Sequence, residues 1–293
     1  MTDVVPAPTA AVSVPAGVPC LVKDMLPFGV VITSTRPDAA ITEVPIPWLR
    51  TLARECHLIV LRGFATVGAT DEFDAYTRAW GTQVVWDFGT VLELREKASD
   101  DPVFDTGFLP IHWDGMYGAY IPEFQMFQCV SAPPAGEGGR TLFCDTSLVL
   151  ADADAETRKV WDSVTIRYQA SRIAHYGGVL REPLVGSHPV TGIPILRFSE
   201  PTPEDRQVAN RPVITMEDVA PDRAAVIFED MRSRVYDPRH LYAHQWAVDD
   251  ILIADNFTLL HTREPYLSGT PRHLRRVQIQ GEPPLANCRL TAA

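Results

Sequence analysis

Apolar positions along this chain fall mostly in short runs or in alternation, the spacing of strands, and only a few segments carry the three-to-four spacing of an amphipathic helix. Residues 47–56 predict a helix: Pro47 sits early, and Leu49, Leu52 and Ala53 share one face. Residues 57–62 read as a short buried strand ended by Gly63. Residues 71–80 predict a second helix, with Thr70 or Asp71 as its cap. Strand composition then dominates, over 84–94, 124–131, 141–144, 164–169 and 195–198. Residues 132–139 are a Pro/Gly loop, 146–162 read as a helix capped by Asp145 or Thr146, and 216–236 as a mixed, partly helical stretch. Residues 244–246, 251–254, 257–261 and 272–280 supply the closing strands.

Composition narrows the class. The chain has 293 residues, 46% of them hydrophobic, enough for a sizeable core, and large β-architectures of this length are often one unit. Residues 1–18 are predicted to be a flexible N-terminal tail, and 19–293 a single domain with a helical and loop insertion. The formal net charge of −11 excludes an electrostatic nucleic-acid binder and favours a soluble protein. Five scattered cysteines without a Cys-x-x-Cys pair fit reduced thiols in the cytoplasm. The N-terminus lacks the basic region of a signal peptide, and no apolar run approaches the roughly 20 residues that cross a bilayer, so no membrane partner is expected.

The candidate chemistry starts at His112-Trp113-Asp114, followed by His261 in the segment Asp255-Asn256-Phe257-Thr258-Leu259-Leu260-His261. Two imidazoles and one carboxylate occupy one face of an octahedral metal and leave three positions open, the ligand set of a mononuclear non-haem iron(II) site. On a strand, residues two apart point the same way, so His112 and Asp114 can share a metal while Trp113 faces away. A His-x-Asp pair recurs by chance in many chains, and its companions give it weight: Gly138-Gly139-Arg140-Thr141, Arg272 and Arg276. If 272–278 is a strand, Arg272, Leu274 and Arg276 share one face, with His273 and Arg275 on the other, Arg275 toward solvent. His175, His188, His240 and His244 show no ligand spacing. Trp113 is expected in the core, and Asn256 at a turn.

With these residues the chain resembles the TauD/TfdA family of iron(II)/2-oxoglutarate dioxygenases, from the Leu61-Arg62-Gly63-Phe64 segment to Gly281. Trp86-Asp87-Phe88-Gly89, Glu93-Leu94-Arg95, His112-Trp113-Asp114-Gly115 and Leu142-Phe143-Cys144-Asp145-Thr146 are most similar to its PvcB/IsnB branch, which acts on amino-acid-derived isonitriles. The resemblance implies a β-rich α+β fold, a double-stranded β-helix (jelly roll, cupin-like) with flanking helices, which strands on both sides of one helical insertion also suit. It implies Fe(II), 2-oxoglutarate and O2 as cofactor and co-substrates, and His112, Asp114 and His261 as metal ligands. It implies that Thr141 and Arg272 hold the far carboxylate of 2-oxoglutarate; arginine's planar fork suits that task. Arg276 is then either the partner of an acidic group on the substrate or a rim salt bridge. Tyr117, Trp86 and Phe88 are candidates to line the substrate pocket, with aromatic core as an equal rival for each. Family members that halogenate lack the carboxylate, so Asp114 argues against halogenation. Where the family often has a Gly-Asp turn before the distal His, this chain has Asp249-Asp250, with no loss of activity expected.

The implied reaction couples conversion of 2-oxoglutarate to succinate and carbon dioxide with removal of a hydrogen atom from an unactivated C–H bond. The leading expectation is desaturation of a small carboxylate such as tyrosine isonitrile, with or without loss of its carboxyl group. Hydroxylation of a free or modified amino acid is the nearest rival, and sulfonate or aryloxyacetate catabolism a further one. From other classes, a zinc hydrolase could use the same three ligands with an activated water, and a non-catalytic barrel could only bind. Neither needs Thr141 and Arg272 together with the intact ligand set.

Overall fold

A computed structural model describes residues 12–97, 101, 103–173, 176–204, 206 and 210–292. Most of the predicted tail, and His175, lie outside the described residues. Along the chain run β1 (Cys20–Asp24), β2 (Val30–Ser34), α1 (Ile46–Cys56), β3 (Leu58–Arg62), α2 (Thr70–Arg78), β4 (Leu92–Arg95), β5 (Leu109–His112), β6 (Tyr120–Ser131) and β7 (Thr141–Asp145). Then come α3 (Thr146–Ala151), α4 (Ala155–Asp162), β8 (Thr165–Ile173), β9 (Tyr176–Pro183), β10 (Val185–Ser187), β11 (Pro194–Leu196), β12 (Val213–Met216) and α5 (Pro221–Val235). The chain closes with β13 (Leu241–His244), β14 (Ile251–Asp255), β15 (Leu259–Arg263), β16 (His273–Ala286) and β17 (Leu290–Thr291). No described helix is long and apolar enough to cross a membrane.

A seven-stranded sheet, ordered β1-β2-β3-β14-β6-β16-β4, forms the centre of the fold. Both of its faces are covered, which explains why its inner strands read as continuous apolar runs and not as alternation. On one face Ile59, Leu61, Phe124, Met126, Ile251 and Ile253 meet Leu49, Leu52 and Ala53 of α1 and Phe73 and Tyr76 of α2. On the other, Leu58, Val60, Phe127, Leu252 and Leu274 meet Phe143 and Leu259 of a four-stranded sheet, ordered β13-β7-β15-β5. The far side of that smaller sheet (Ile111, Cys144, Leu260) packs on Tyr168 and Leu180 of a third sheet and on Met231 of α5.

Several predicted elements end elsewhere. The strand over 84–94 reduces to β4, because Trp86 and Gly89 bridge each other and Gly89, at φ 103°, turns the chain. The helix over 146–162 is two helices: Asp145 caps α3 through the Ser147 and Leu148 amides, and Asp154 caps α4 through the Thr157 amide. Helix α2 is capped neither by Thr70 nor by Asp71; Ala69 is the N-cap, and the Glu72 carboxylate accepts the Gly68 and Ala69 amides.

Candidate active site

Strands β5 and β15 are antiparallel neighbours in the smaller sheet, with His112 opposite His261. That register brings their ring centroids to 4.3 Å. Asp114 is not on the strand, contrary to the period-two argument: β5 ends at His112, and Asp114 opens the turn that follows. Asn256 holds it there. Its side-chain oxygen accepts the Asp114 amide at 2.9 Å, and its amide group donates to the Asp114 carbonyl at 3.0 Å and the Pro122 carbonyl at 2.8 Å. The turn residue expected at Asn256 is thus the lock on Asp114. Gly115 (φ 96°) permits the tight turn, since a Cβ there would lie 2.6 Å from Pro122.

His112, Asp114 and His261 each offer a ligand atom, all within 4.8 Å of one another; among the described residues they are the one such group. Their surroundings fit a cation. His112 Nδ1 lies 2.8 Å from the Pro110 carbonyl, which can only accept, so that nitrogen carries the proton and Nε2 keeps its lone pair. Nε2 faces Asp114 Oδ1 at 3.6 Å. The other oxygen, Oδ2, accepts from Arg276 Nη1 at 2.8 Å and from the Gln278 amide. One carboxylate oxygen is therefore occupied and the other is turned to the imidazoles. Burial opposes the charge on Asp114, but Arg276, with His112 and His261, outweighs it and holds the carboxyl well below its usual range. Burial, with His112 and Arg276 adding to it, pulls His261 down to about 3, so the ring stays neutral.

Beside this cluster lies a site of different character. Thr141 begins β7, two residues before Phe143, which pairs with His261. Two strand residues span about 7 Å, the scale of a short dicarboxylate. Arg272, just before β16, donates to the Gly139 carbonyl at 2.8 Å and to Thr141 Oγ1 at 3.4 Å, and Trp246 Nε1 donates to the same hydroxyl at 3.1 Å. The glycine pair is required. A Cβ on Gly138 (φ 81°) would fall 2.1 Å from the Pro265 carbonyl, and one on Gly139 (φ 73°) 3.0 Å from Arg272 Cδ. Arg272 is 5% exposed and forms no ion pair with a carboxylate among the described residues. Burial, and then the neighbouring Arg263, bring its guanidinium down to about 10. A buried cation with no counterion is suited to an anionic ligand.

The other predicted residues divide. Arg276 forms an ion pair, but a mostly buried one with Asp114 and not one at a rim. Arg275 does not face solvent: it is 8% exposed and donates to Gln128 and to the carbonyl of Gly68, in the loop before α2 that covers this face of the sheet. Trp113 is fully buried, as expected, and Tyr117 nearly so. Trp86 is half-buried, while Phe88 is 55% exposed and stacks outside it at 6.2 Å, so Phe88 covers Trp86 and does not line an interior wall. His188, His240 and His244 stand apart from the cluster, with His188 on Asp255 and His244 on Asp250, each at 3.1 Å. Asp249 sits at φ 70°, the conformation that favours glycine, and accepts from Thr66 on the surface. Sequence reasoning missed Gln278 and Trp246. Gln278 continues the Arg272, Leu274, Arg276 alternation by one step and was legible from it; Trp246 carries no local signal.

The sequence matches the family described as taurine catabolism dioxygenase TauD, TfdA family, over residues 22–278. The chain belongs to the TauD/TfdA family. As such it is an iron(II)/2-oxoglutarate-dependent dioxygenase. It is 42% identical over 262 residues to the tyrosine isonitrile desaturase of Pseudomonas aeruginosa, covering 89% of this chain and 90% of that protein. It is 38% identical over 259 residues to the 3-((Z)-2-isocyanoethenyl)-1H-indole synthase of Fischerella ambigua, covering 88% and 94%. The solved structure of PvcB, an Fe, alpha-ketoglutarate dependent oxygenase from an isonitrile synthetic pathway, superposes with a TM-score of 0.80 at 37% identity, over 93% of this chain and 96% of that one.

Proposed function

We propose that this protein is an oxygenase of isonitrile biosynthesis that desaturates a small, amino-acid-derived isonitrile carboxylate, such as tyrosine isonitrile, with or without loss of the carboxyl group. We read the seven-stranded and four-stranded sheets as the two halves of a jelly roll, with the site in its mouth. The observation that carries the reading is a two-His, one-carboxylate cluster together with a buried, counterion-free arginine, Arg272, which reaches Thr141 of β7 in the small sheet that also carries His112 and His261. The likeness to enzymes named for isonitrile desaturation supports the substrate class.

His112, Asp114 and His261 would hold iron(II), and Arg272 and Thr141 the far carboxylate of 2-oxoglutarate. Iron, with 2-oxoglutarate and dioxygen, supplies the oxidant for a C–H bond that no side chain could break. The chain's own residues bind and orient. Gln278 and Arg276 fix the outer oxygen of Asp114 and leave one for the metal. Arg276 presents its remaining donors to the substrate carboxylate. The overall balance is simple: 2-oxoglutarate and dioxygen give succinate, carbon dioxide and one oxygen atom, which leaves as water with two hydrogens from the substrate. Where the substrate carboxyl also departs, it leaves as a second carbon dioxide.

The test is anaerobic addition of iron(II) and 2-oxoglutarate to metal-free protein, watching for the visible band of the chelate. Oxygen is then admitted with a panel of amino acids and their isonitriles, and succinate and product mass are measured. Product lighter by two hydrogens, or by two hydrogens and carbon dioxide, supports the desaturase. Product heavier by one oxygen moves the assignment to hydroxylase. Absence of the band, with zinc filling a site sensitive to His112→Ala, sinks it.

A further inference from the structure

Three separate stretches of chain, one of them the turn that opens at Asp114, bring aromatic rings together. The turn that starts at Asp114 carries Tyr117 three residues on. The 84–91 loop hangs from β16, with the Val84 amide donating to the Gln278 carbonyl at 2.9 Å, and carries Trp86. Strand β9 begins at Tyr176, which no motif marks. The Tyr176 ring is the joint between the other two: it meets Tyr117 edge-on at 5.3 Å and Trp86 at 5.9 Å. Its placement is set by backbone. The Gly177 amide donates to the Tyr117 carbonyl at 3.3 Å, and a Cβ on Gly177 (φ 121°) would lie 2.4 Å from the Ser171 carbonyl.

We propose that Tyr176 is a specificity-determining residue: with Trp86 and Tyr117 it forms the wall that receives the aromatic side chain of the substrate, on the Arg276–Asp114 side of the site. Two further observations support this. The Gly177–Tyr117 bond ties Tyr176 to the turn that Asp114 opens, and after burial the Asp114 charge raises the Tyr176 phenol while Arg276 lowers it. The Tyr117 hydroxyl is buried and has no hydrogen-bond partner among the described residues. A buried orphan hydroxyl is costly unless a ligand group meets it, and the phenol or indole N–H of an aromatic substrate would. An arginine beside the same wall suits the carboxylate at the other end of such a molecule.

The inference rests on the substrate being an aromatic carboxylate, and its test is built to fail separately from that reading. The iron(II)·2-oxoglutarate complex of the full chain is titrated anaerobically with tyrosine isonitrile, phenylpropionate and hexanoate, following perturbation of the visible band. The same titration is made on Tyr176→Phe, Tyr176→Leu and Tyr176→Ala, with melting curves as a check on folding. We expect the wild type to prefer the aromatic ligands. Tyr176→Phe should hold within about twofold, while Tyr176→Leu and Tyr176→Ala should weaken aromatic ligands about tenfold or more and leave hexanoate and 2-oxoglutarate binding unchanged. With oxygen, those two variants should consume 2-oxoglutarate without matching product. Equal aromatic affinity in wild type and Tyr176→Leu overturns the proposal, as does a loss in Tyr176→Phe as large as in Tyr176→Leu. If the wild type binds aromatic carboxylates through Tyr176 but desaturates no isonitrile, the functional reading falls and the wall stands.

Discussion

Replacing Arg272 with methionine should leave the stability of the protein nearly unchanged and make it nearly unable to bind 2-oxoglutarate. Arg272 is buried, and its guanidinium is pulled from 12.5 to about 10, mainly by burial. That gap corresponds to a penalty of about 3 kcal/mol on the charged form in the ligand-free fold. Because folding disfavours the charge, the penalty is full below pH 10 and fades only as pH rises from there toward 12.5. Methionine removes it, fills similar volume, and gives up the bonds to Gly139 and Thr141. Those two come from a charged donor and are worth about 1.5 kcal/mol each, so the terms nearly cancel and Tm should stay within about 2–4 °C. The ligand loses its charged fork at the same time. Two charge-assisted hydrogen bonds are worth about 3–4 kcal/mol together, a Kd roughly a hundred- to a thousand-fold higher. Melting curves of metal-free protein give the first quantity, and anaerobic titration of the chelate band gives the second. An unchanged 2-oxoglutarate midpoint would refute the assignment of Arg272. A metal-free variant melting more than about 10 °C lower would show that the arginine is structural.

Gln278→Leu removes one of the two donors on Asp114 Oδ2 and should weaken iron(II) binding about 10- to 100-fold, measured by calorimetric titration of metal-free protein, with melting temperature little changed. Gly139→Ala places a methyl 3.0 Å from Arg272 Cδ at a φ of 73°, and should raise the KM for 2-oxoglutarate about tenfold while the substrate KM holds, read in a succinate assay. His57 pairs with Asp145 at 2.7 Å; burial opposes its charge, but Asp145 outweighs burial and raises it above the usual 6.5. Its stabilising contribution is full below pH 6.5 and is lost as pH rises through the folded value, so the Tm gap between wild type and His57→Gln should be widest at or below pH 6.5 and narrow above it.

The strands that carry the chemistry were legible as short apolar runs, and the motif spacing pointed to a candidate ligand set before any fold was known. The sequence by itself determined which side chain types are present: two imidazoles, one carboxylate, a Gly-Gly turn that only glycine can make, and an arginine a fixed distance beyond the second His. Pairing across strands is a different matter. That His112 faces His261 depends on a register between segments far apart in the chain, and nothing local to either encodes it. The same holds for Asn256, whose amide reaches Asp114 across the fold, and for Arg275, which a period-two argument sends to solvent and the loop before α2 covers. Periodicity tells which residues share a face but not what covers that face. Tyr176 is the clearest case: one aromatic among eight tyrosines, made a candidate wall of the site only by the pairing of the Gly177 amide with the Tyr117 carbonyl across the fold.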